Sequence, residues 1–341
     1  TDGIYIQNRM VELGDCTGPL SAEFVLRDPT VDFAVLECAR GGILKAGLGF
    51  HNCDISIVTN ISADHLGLKD INTVEEMARV KGVVAESVLP EGHCILNADD
   101  DLVYEMRKNI NANVALFSLD ENNPRITRHC EKGGIAAIVE NGYITICKGT
   151  WKIRVDKVIN IPLTFSGKAI FMIQNVLPAV LAGFLRGFKV EEIRLALETF
   201  IPSPTQTPGR MNMFQFRKFT VMVDYAHNPA GFQAIGRYLE KIEANPKVGI
   251  IAGVGDRRDE DLIQLGQIAS QMFDEIIIRQ DKNLRGRSET EIIDLMMKGI
   301  HTDDPKKNVK VLPKESEAID YALKNAKKGA FIVICSDVVP D

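Results

Sequence analysis

Asp224 and His227 stand three residues apart in Val223-Asp224-Tyr225-Ala226-His227-Asn228-Pro229, at the end of the apolar run 219–223. A carboxylate and an imidazole so spaced can hold a cation, move a proton, or simply tie a turn. The run before them reads as a short buried strand, and Asn228-Pro229 as a turn and the first residue of a helix. In an open α/β sheet, ligands gather outside the carboxyl ends of the strands, where this pair would fall. Two upstream segments repeat the theme. Glu37-Cys38-Ala39-Arg40-Gly41-Gly42 follows a strand expected over 32–36, and Thr59-Asn60-Ile61-Ser62-Ala63-Asp64-His65-Leu66-Gly67 closes another over 54–60.

The chemistry each segment suggests has a plainer counterpart. A strand-end carboxylate before Arg-Gly-Gly suits a hard metal ion, with glycines that let the backbone approach a ligand. A capped turn with a Glu37–Arg40 ion pair would use the same residues. Glu37 and His65 together fit a carboxylate–imidazole–water site for Mg²⁺ or Mn²⁺, while Asp64 serves equally as an N-cap and His65 as a surface histidine. Lys81, among apolar and small neighbours, reads either as a buried lysine with a lowered pKa or as one snorkelling from a helix face. Gly253-Val254-Gly255-Asp256-Arg257-Arg258-Asp259 places glycines and two arginines at a helix entrance, which suits phosphate contact. The 341 residues contain no Gly-x-x-x-x-Gly-Lys-Ser/Thr and no Gly-x-Gly-x-x-Gly opening a helix, so a dinucleotide oxidoreductase is not indicated.

The elements that must position these groups follow from periodicity. Helical spacing runs over 73–89, strands are expected at 94–97 and 114–118 around a helix over 100–109, and Asn141-Gly142 marks a hairpin within 135–148. Helices follow at 170–186 and 190–199. Residues 202–209 hold three prolines and a glycine, the clearest linker in the chain. Beyond it, strands near 219–224, 247–253, 274–280, 309–312 and 330–336 alternate with helices, which implies a parallel sheet covered on both faces. The expected division is residues 1–201, a linker over 202–209, and residues 210–341.

Composition bounds the function. At 341 residues the chain suits two domains of about 150 residues each. It is 45% hydrophobic and 25% charged, an ordinary globular balance without a membrane-crossing run. A net charge of −6 with no basic patch argues against nucleic-acid binding. Seven dispersed cysteines, none in Cys-x-x-Cys, suggest buried, reduced thiols in a cytoplasmic protein rather than a zinc site. Thr1-Asp2-Gly3 reads as the start of a fragment.

Taken together, these segments, with Thr1-Asp2-Gly3-Ile4-Tyr5 and Gln206-Thr207-Pro208-Gly209-Arg210, resemble the Mur ligase superfamily of ATP-dependent amide ligases. The likeness covers nearly the whole chain. It implies an α/β fold, a central ATPase domain without its N-terminal phosphate loop followed by a Rossmann-like C-terminal domain with a mostly parallel sheet. It implies ATP and Mg²⁺ as cofactors, an acyl phosphate, and attack on it by an amine. Glu37 and His65 would hold the metal, with Lys81, carbamylated in several relatives, helping to position it. Asn175 would meet the adenine, Arg210 and Asp224 the nucleotide, with His227 and Arg257 beside the reacting groups. The Arg-Gly-Gly and Gly-Asp-Arg-Arg-Asp forms are similar to the branch that joins L-arginine to aspartate β-carboxylates on the poly-aspartate backbone of cyanophycin. There Asp281 and Arg285, in the segment after a second-domain strand, would bind the incoming amino acid, although Lys282 and Asn283 depart from that branch's more acidic pattern. A homo-oligomer is implied, and domain closure would bring Arg210, Asp224 and Arg257 towards a nucleotide on the first domain. The alternatives are a Mur-type ligase for another amino acid, or a non-catalytic nucleotide- or polymer-binding module.

The phosphate loop implied by the resemblance would precede Thr1. The 341-residue chain alone is therefore expected to hydrolyse ATP poorly, and efficient arginine-dependent phosphate release by it would refute this.

Overall fold

The structure is a computed structural model describing residues 3–63, 66–67, 69–280 and 284–336. Asp64, His65 and Asp281 lie outside the described residues. The chain divides into two compact units: most residues up to Thr199 fall in the first, and those from Phe200 on fall in the second.

In the first unit, β1 (Gly3–Ile6) and β2 (Arg9–Leu13) form an antiparallel hairpin, followed by α1 (Pro19–Arg27) and α2 (Arg40–Ala46). The main sheet is built from β3 (Cys53–Val58), α3 (Val74–Glu86), β4 (Val88–Asn97), α4 (Asp101–Glu105), β5 (Asn113–Ser118), α5 (Pro124–Glu131), β6 (Ile135–Glu140), β7 (Tyr143–Lys148) and β8 (Trp151–Lys157). Its strands lie in sequence order, β3 to β6 parallel and β7 and β8 antiparallel. Then come α6 (Ile170–Leu185) and α7 (Val190–Thr199). Strand alternation sorts the core into two layers. Ile95, Phe117 and Ala137 pack with Val176, Leu177 and Ile193 of α6 and α7. Cys94, Leu96, Leu116 and Ala136 pack with Ala85, Val103 and Ile126 of α3 to α5. The Asn141-Gly142 hairpin forms with both residues left-handed, at φ 49° and 76°. Such a turn matches the strand twist.

The second unit runs β9 (Asn212–Gln215), β10 (Thr220–Asp224), α8 (Pro229–Leu239), β11 (Lys247–Ile251), α9 (Asp259–Met272), β12 (Glu275–Ile278), α10 (Glu289–Asp303), β13 (Asn308–Val311), α11 (Glu315–Asn325) and β14 (Phe331–Cys335). The order β13-β12-β11-β14-β10-β9 is parallel except for edge strand β9. Ala318 and Ala322 of α11 pack on Val221, Ile250, Ile277 and Ile332. Asn228 caps α8, its Oδ1 accepting from Gly231 N at 2.8 Å, and Pro229 is the first helical residue, as the sequence predicts.

Three expectations need correction. Residues 32–37 form no strand: 32 and 33 bend, 34–37 carry no regular structure or ladder partner, and Val35 is 87% exposed. An apolar run becomes a strand only where another strand's edge accepts its hydrogen bonds, and among the described residues this one forms no ladder. Second, the cysteines are not uniformly buried and isolated. Cys16, Cys38 and Cys53 are half-buried, and Cys130 and Cys147 meet at 3.5 Å between α5 and β7. Third, β1, β2, α1, α2, α5, β8 and β9 form where the sequence reading assigns no element.

Helices α9 and α10 touch backbone to backbone. A Cβ on Gly299 would sit 1.9 Å from the Ile263 carbonyl oxygen, and one on Gly266 2.2 Å from that of Met296. Gly299→Ala should destabilise the protein by about 1–3 kcal/mol in urea unfolding, the cost of forcing a packed core apart. Gly82→Ala on α3 meets nothing nearer than Glu86 at 4.0 Å and should stabilise by about 0.5–1 kcal/mol through helix propensity.

Candidate active site

Every strand of a parallel sheet delivers its following loop to one edge. In the second unit that edge carries Asp224 at the end of β10, residues 252–258 after β11, Arg279 and Gln280 after β12, and Ser336 after β14. Register makes these ends adjacent: Asp224 lies opposite Cys335, and Ser336 N donates to the Asp224 carbonyl at 2.9 Å.

Asp224 is 7% exposed. Its Oδ2 accepts from Met211 N at 2.9 Å and its Oδ1 from Ala226 N at 2.8 Å. Burial pushes its pKa up, against the pull of these two N–H groups and of Arg210. The carboxylate thus clamps the 210–211 turn and the 225–227 turn together. Met211 is left-handed at φ 48°, and Tyr225 N donates to Gly209 O at 2.7 Å. Arg210, exposed, stacks over the Tyr225 ring at 4.9 Å, and His227 meets the same ring edge-on at 5.3 Å. His227 Nδ1 lies 3.0 Å from the Tyr225 carbonyl. A carbonyl only accepts, so in this contact Nδ1 is the donor and Nε2 is not committed to it. Arg210, Asp224 and His227 therefore form one group around Tyr225, a residue to which the sequence reading assigns no role.

The Gly-Val-Gly-Asp-Arg-Arg loop forms a second group. Arg257 is 6% exposed, with Nη1 3.5 Å from Asp256 Oδ1. Asp256 Oδ2 takes Arg285 Nη1 at 2.7 Å, joining the loop to the segment that sequence reading assigns to the substrate. Arg287 bonds the carbonyls of Gly255 and Arg257. Arg279, 3% exposed, donates to the Cys335 carbonyl at 3.0 Å, and Gln280 Oε1 is buried without a hydrogen-bond partner. Arg279, Gln280 and Arg287 belong to the segment that the resemblance assigns to the incoming amino acid, but sequence reading gives them no individual role. The only signal is their density of polar groups after an apolar strand.

In the first unit, Glu37 is exposed in the 32–37 segment, Lys81 is half-buried on α3, and Asn175 is exposed on α6. Glu37 lines a cleft of about 520 Å³ with Tyr5, Ser21 and Asp32. Among the described residues no three histidine, cysteine or acidic side chains converge as metal ligands. Mg²⁺ does not require this, since one or two carboxylates plus phosphate oxygens and water suffice. Glu37 and Asp32, which line the same cleft, are donors of that kind.

Residues 3–183 match the Mur ligase middle domain, and residues 209–338 the Mur ligase glutamate ligase domain. The chain belongs to the Mur ligase family. Cyanophycin synthetase of Geminocystis herdmanii is 50% identical over 339 residues, which cover 99% of this chain and 39% of that protein. That of Synechocystis sp. is 49% identical with the same coverage. The UDP-N-acetylmuramoyl-L-alanyl-D-glutamate–2,6-diaminopimelate ligase of Caldanaerobacter subterraneus is 26% identical over 308 residues, 89% of this chain and 58% of that protein. The chain thus spans about two fifths of the length of the cyanophycin synthetases it matches. Among solved structures, MurF from Acinetobacter baumannii superposes with a TM-score of 0.67 at 18% identity, over 95% of this chain and 66% of that one. Mycobacterium tuberculosis folylpolyglutamate synthase gives 0.59 at 17%, over 86% and 63%. These likenesses establish the Mur ligase fold of both units, with mostly parallel sheets. No helix among the described residues is long and apolar enough to cross a membrane.

The buried Asp224 gives a pH signature. A carboxyl whose folded pKa is raised binds its proton more tightly in the native state, so its contribution to stability falls as pH rises above the unfolded value near 3.8. The stability of the wild type relative to Asp224→Asn should therefore decline from about pH 4 upward and level off once the native carboxyl is ionised. A difference that rises across this range, in urea titrations, would contradict the assignment.

Proposed function

We propose that this chain is the arginine-adding ligase portion of a cyanophycin-synthesising enzyme. An aspartate β-carboxylate on a poly-aspartate backbone would take the γ-phosphoryl group of ATP, giving an acyl phosphate and ADP. The α-amine of L-arginine would attack the acyl carbon, and phosphate would leave as the isopeptide bond forms. The observation that carries this reading is 50% identity to a cyanophycin synthetase along 99% of the chain.

The residue roles fit the chemistry. Residues 1–201 and 210–341, joined by the proline-rich 202–209 segment, would act as the central and C-terminal ligase domains. Arg257 and the amides of its glycine-rich loop supply preorganised donors for phosphoryl charge. Arg210, stacked on Tyr225 and anchored through Asp224, offers a second cation for the nucleotide. Asn175 would meet the base, and Asp281 and Arg285 the incoming amino acid. His227, with Nδ1 committed to a carbonyl, keeps Nε2 available for a phosphate or a proton. Mg²⁺ would be held through Glu37 and His65, with Lys81 nearby as a positioning group; when bound, it neutralises charge on the phosphates. The clustering of arginines suits this reading better than that of a passive polymer-binding module.

The test uses the natural polypeptide containing these residues, with ATP, Mg²⁺ and an aspartate-exposing primer. Phosphate release should require L-arginine and exceed that with L-lysine or no amino acid by at least about tenfold, a difference one lost charge-assisted pairing can supply. Glu37→Ala or His65→Ala should abolish it. Equal release with lysine would point to another amino acid, and no release with any amino acid would sink the ligase reading.

A further inference from the structure

We propose that Arg287 is a positioning residue of this site, a clamp that fixes the backbone of residues 253–257 and thereby holds Arg257 where a phosphoryl group is met. For the identity of that group the proposal rests on the ligase reading above; the clamping itself does not.

Arg287 spends nearly all its donors on one loop and the helices beside it. Nε donates to the Gly255 carbonyl at 3.0 Å and Nη2 to the Arg257 carbonyl at 2.9 Å. Nη1 meets Asp259, the first residue of α9, and Glu291 in the first turn of α10, each at 2.7 Å. The two carbonyls flank Asp256-Arg257, so this stretch is pinned at both ends. The loop is also seated directly on the Arg287 segment. A Cβ on Gly255 would lie 2.0 Å from the Leu284 carbonyl oxygen, and Arg287 N donates to that same carbonyl at 3.1 Å.

The consequence concerns Arg257. Its side chain is buried, so the place of its guanidinium follows the backbone that carries it. Arg287 has its own charge answered by Asp259 and Glu291, which also hold its pKa up, so it is an anchor and not an anion contact. A lysine at this position keeps the charge but, as a point donor, cannot span two carbonyls and two carboxylates at once.

The experiment combines local exchange with a mutant cycle in the natural polypeptide. In Arg287→Lys and Arg287→Gln, amide hydrogen-exchange protection over residues 254–258 should fall about tenfold or more, while β11 keeps its own. The kcat for arginine-dependent phosphate release should fall by about tenfold or more with KM for ATP changed less than about threefold, the pattern of a displaced transition-state contact. In an Arg257→Ala background, Arg287→Lys should add less than about twofold, because its effect passes through Arg257. Unchanged exchange at 254–258 would overturn the clamp. Multiplying effects of the two substitutions, or a KM rise without a kcat loss, would overturn its action through Arg257. If the unsubstituted polypeptide releases no phosphate with any amino acid, the ligase reading fails, and the exchange result still decides whether Arg287 holds the loop.

Discussion

In the second unit, strands β10, β11, β12 and β14 are flanked laterally by other strands and lie in the apolar core, so their backbone groups are committed to the ladder and most of their side chains to packing. Polar chemistry can begin only where the ladder stops. Because the strands are parallel and in near register, they stop together, and Arg279, Gly253, Ser336 and Asp224 emerge in that order along one edge. The same event creates a difficulty. The first loop residues leave the ladder while still close to the core, and their N–H and carbonyl groups need new partners.

Those partners are side chains, and they are what gives the edge its shape. Asp224 answers two amides with one carboxylate, Arg279 answers the Cys335 carbonyl, and Arg287 answers those of Gly255 and Arg257. Burying such groups alone is costly, and each of them meets backbone groups that have left the ladder. The residues that hold the loops are therefore interleaved with those proposed to meet a ligand, which is why truncating either kind is expected to lower activity and why local exchange is needed to tell them apart.

How much of this was legible depends on where the information lay. The second unit alternates apolar runs with amphipathic helices, so its strands, the Asn228 cap and the carboxyl-edge position of Asp224 could be read from spacing alone. The Asn141-Gly142 hairpin was equally plain, because few residue pairs accept two left-handed positions. Residues 32–37 misled for the opposite reason: their composition is that of a strand, but strand formation is settled by a neighbour that composition does not contain. β9 was missed because an edge strand of four residues with one partner needs little apolar patterning. At the site, residue type pointed to Asp224, His227 and Arg257. The roles of Tyr225, Arg279 and Arg287 were not legible, since each depends on a contact with a residue distant in sequence or on the face of a turn.

The electrostatics of the loop cluster decide what a phosphate would meet there under the proposed function. Arg257 is paired with Asp256, Arg285 with Asp256, Arg287 with Asp259 and Glu291, and Arg279 lies 3.8 Å from Glu315. Among the described residues, four of the cluster's guanidinium groups thus stand against four carboxylates, and their charges balance. An incoming phosphate would find no broad positive field there. It would find N–H donors fixed in direction, whose pull depends on their being aimed at the right point and on water being kept away. A site that works by net charge tolerates small displacements, because a field decays gently with distance. A site that works by aimed donors does not, since a shift of about 1 Å is enough to lose a reacting geometry. Glycine at 255 and arginine at 287 both serve that second requirement, the one by allowing backbone to meet backbone and the other by holding it there.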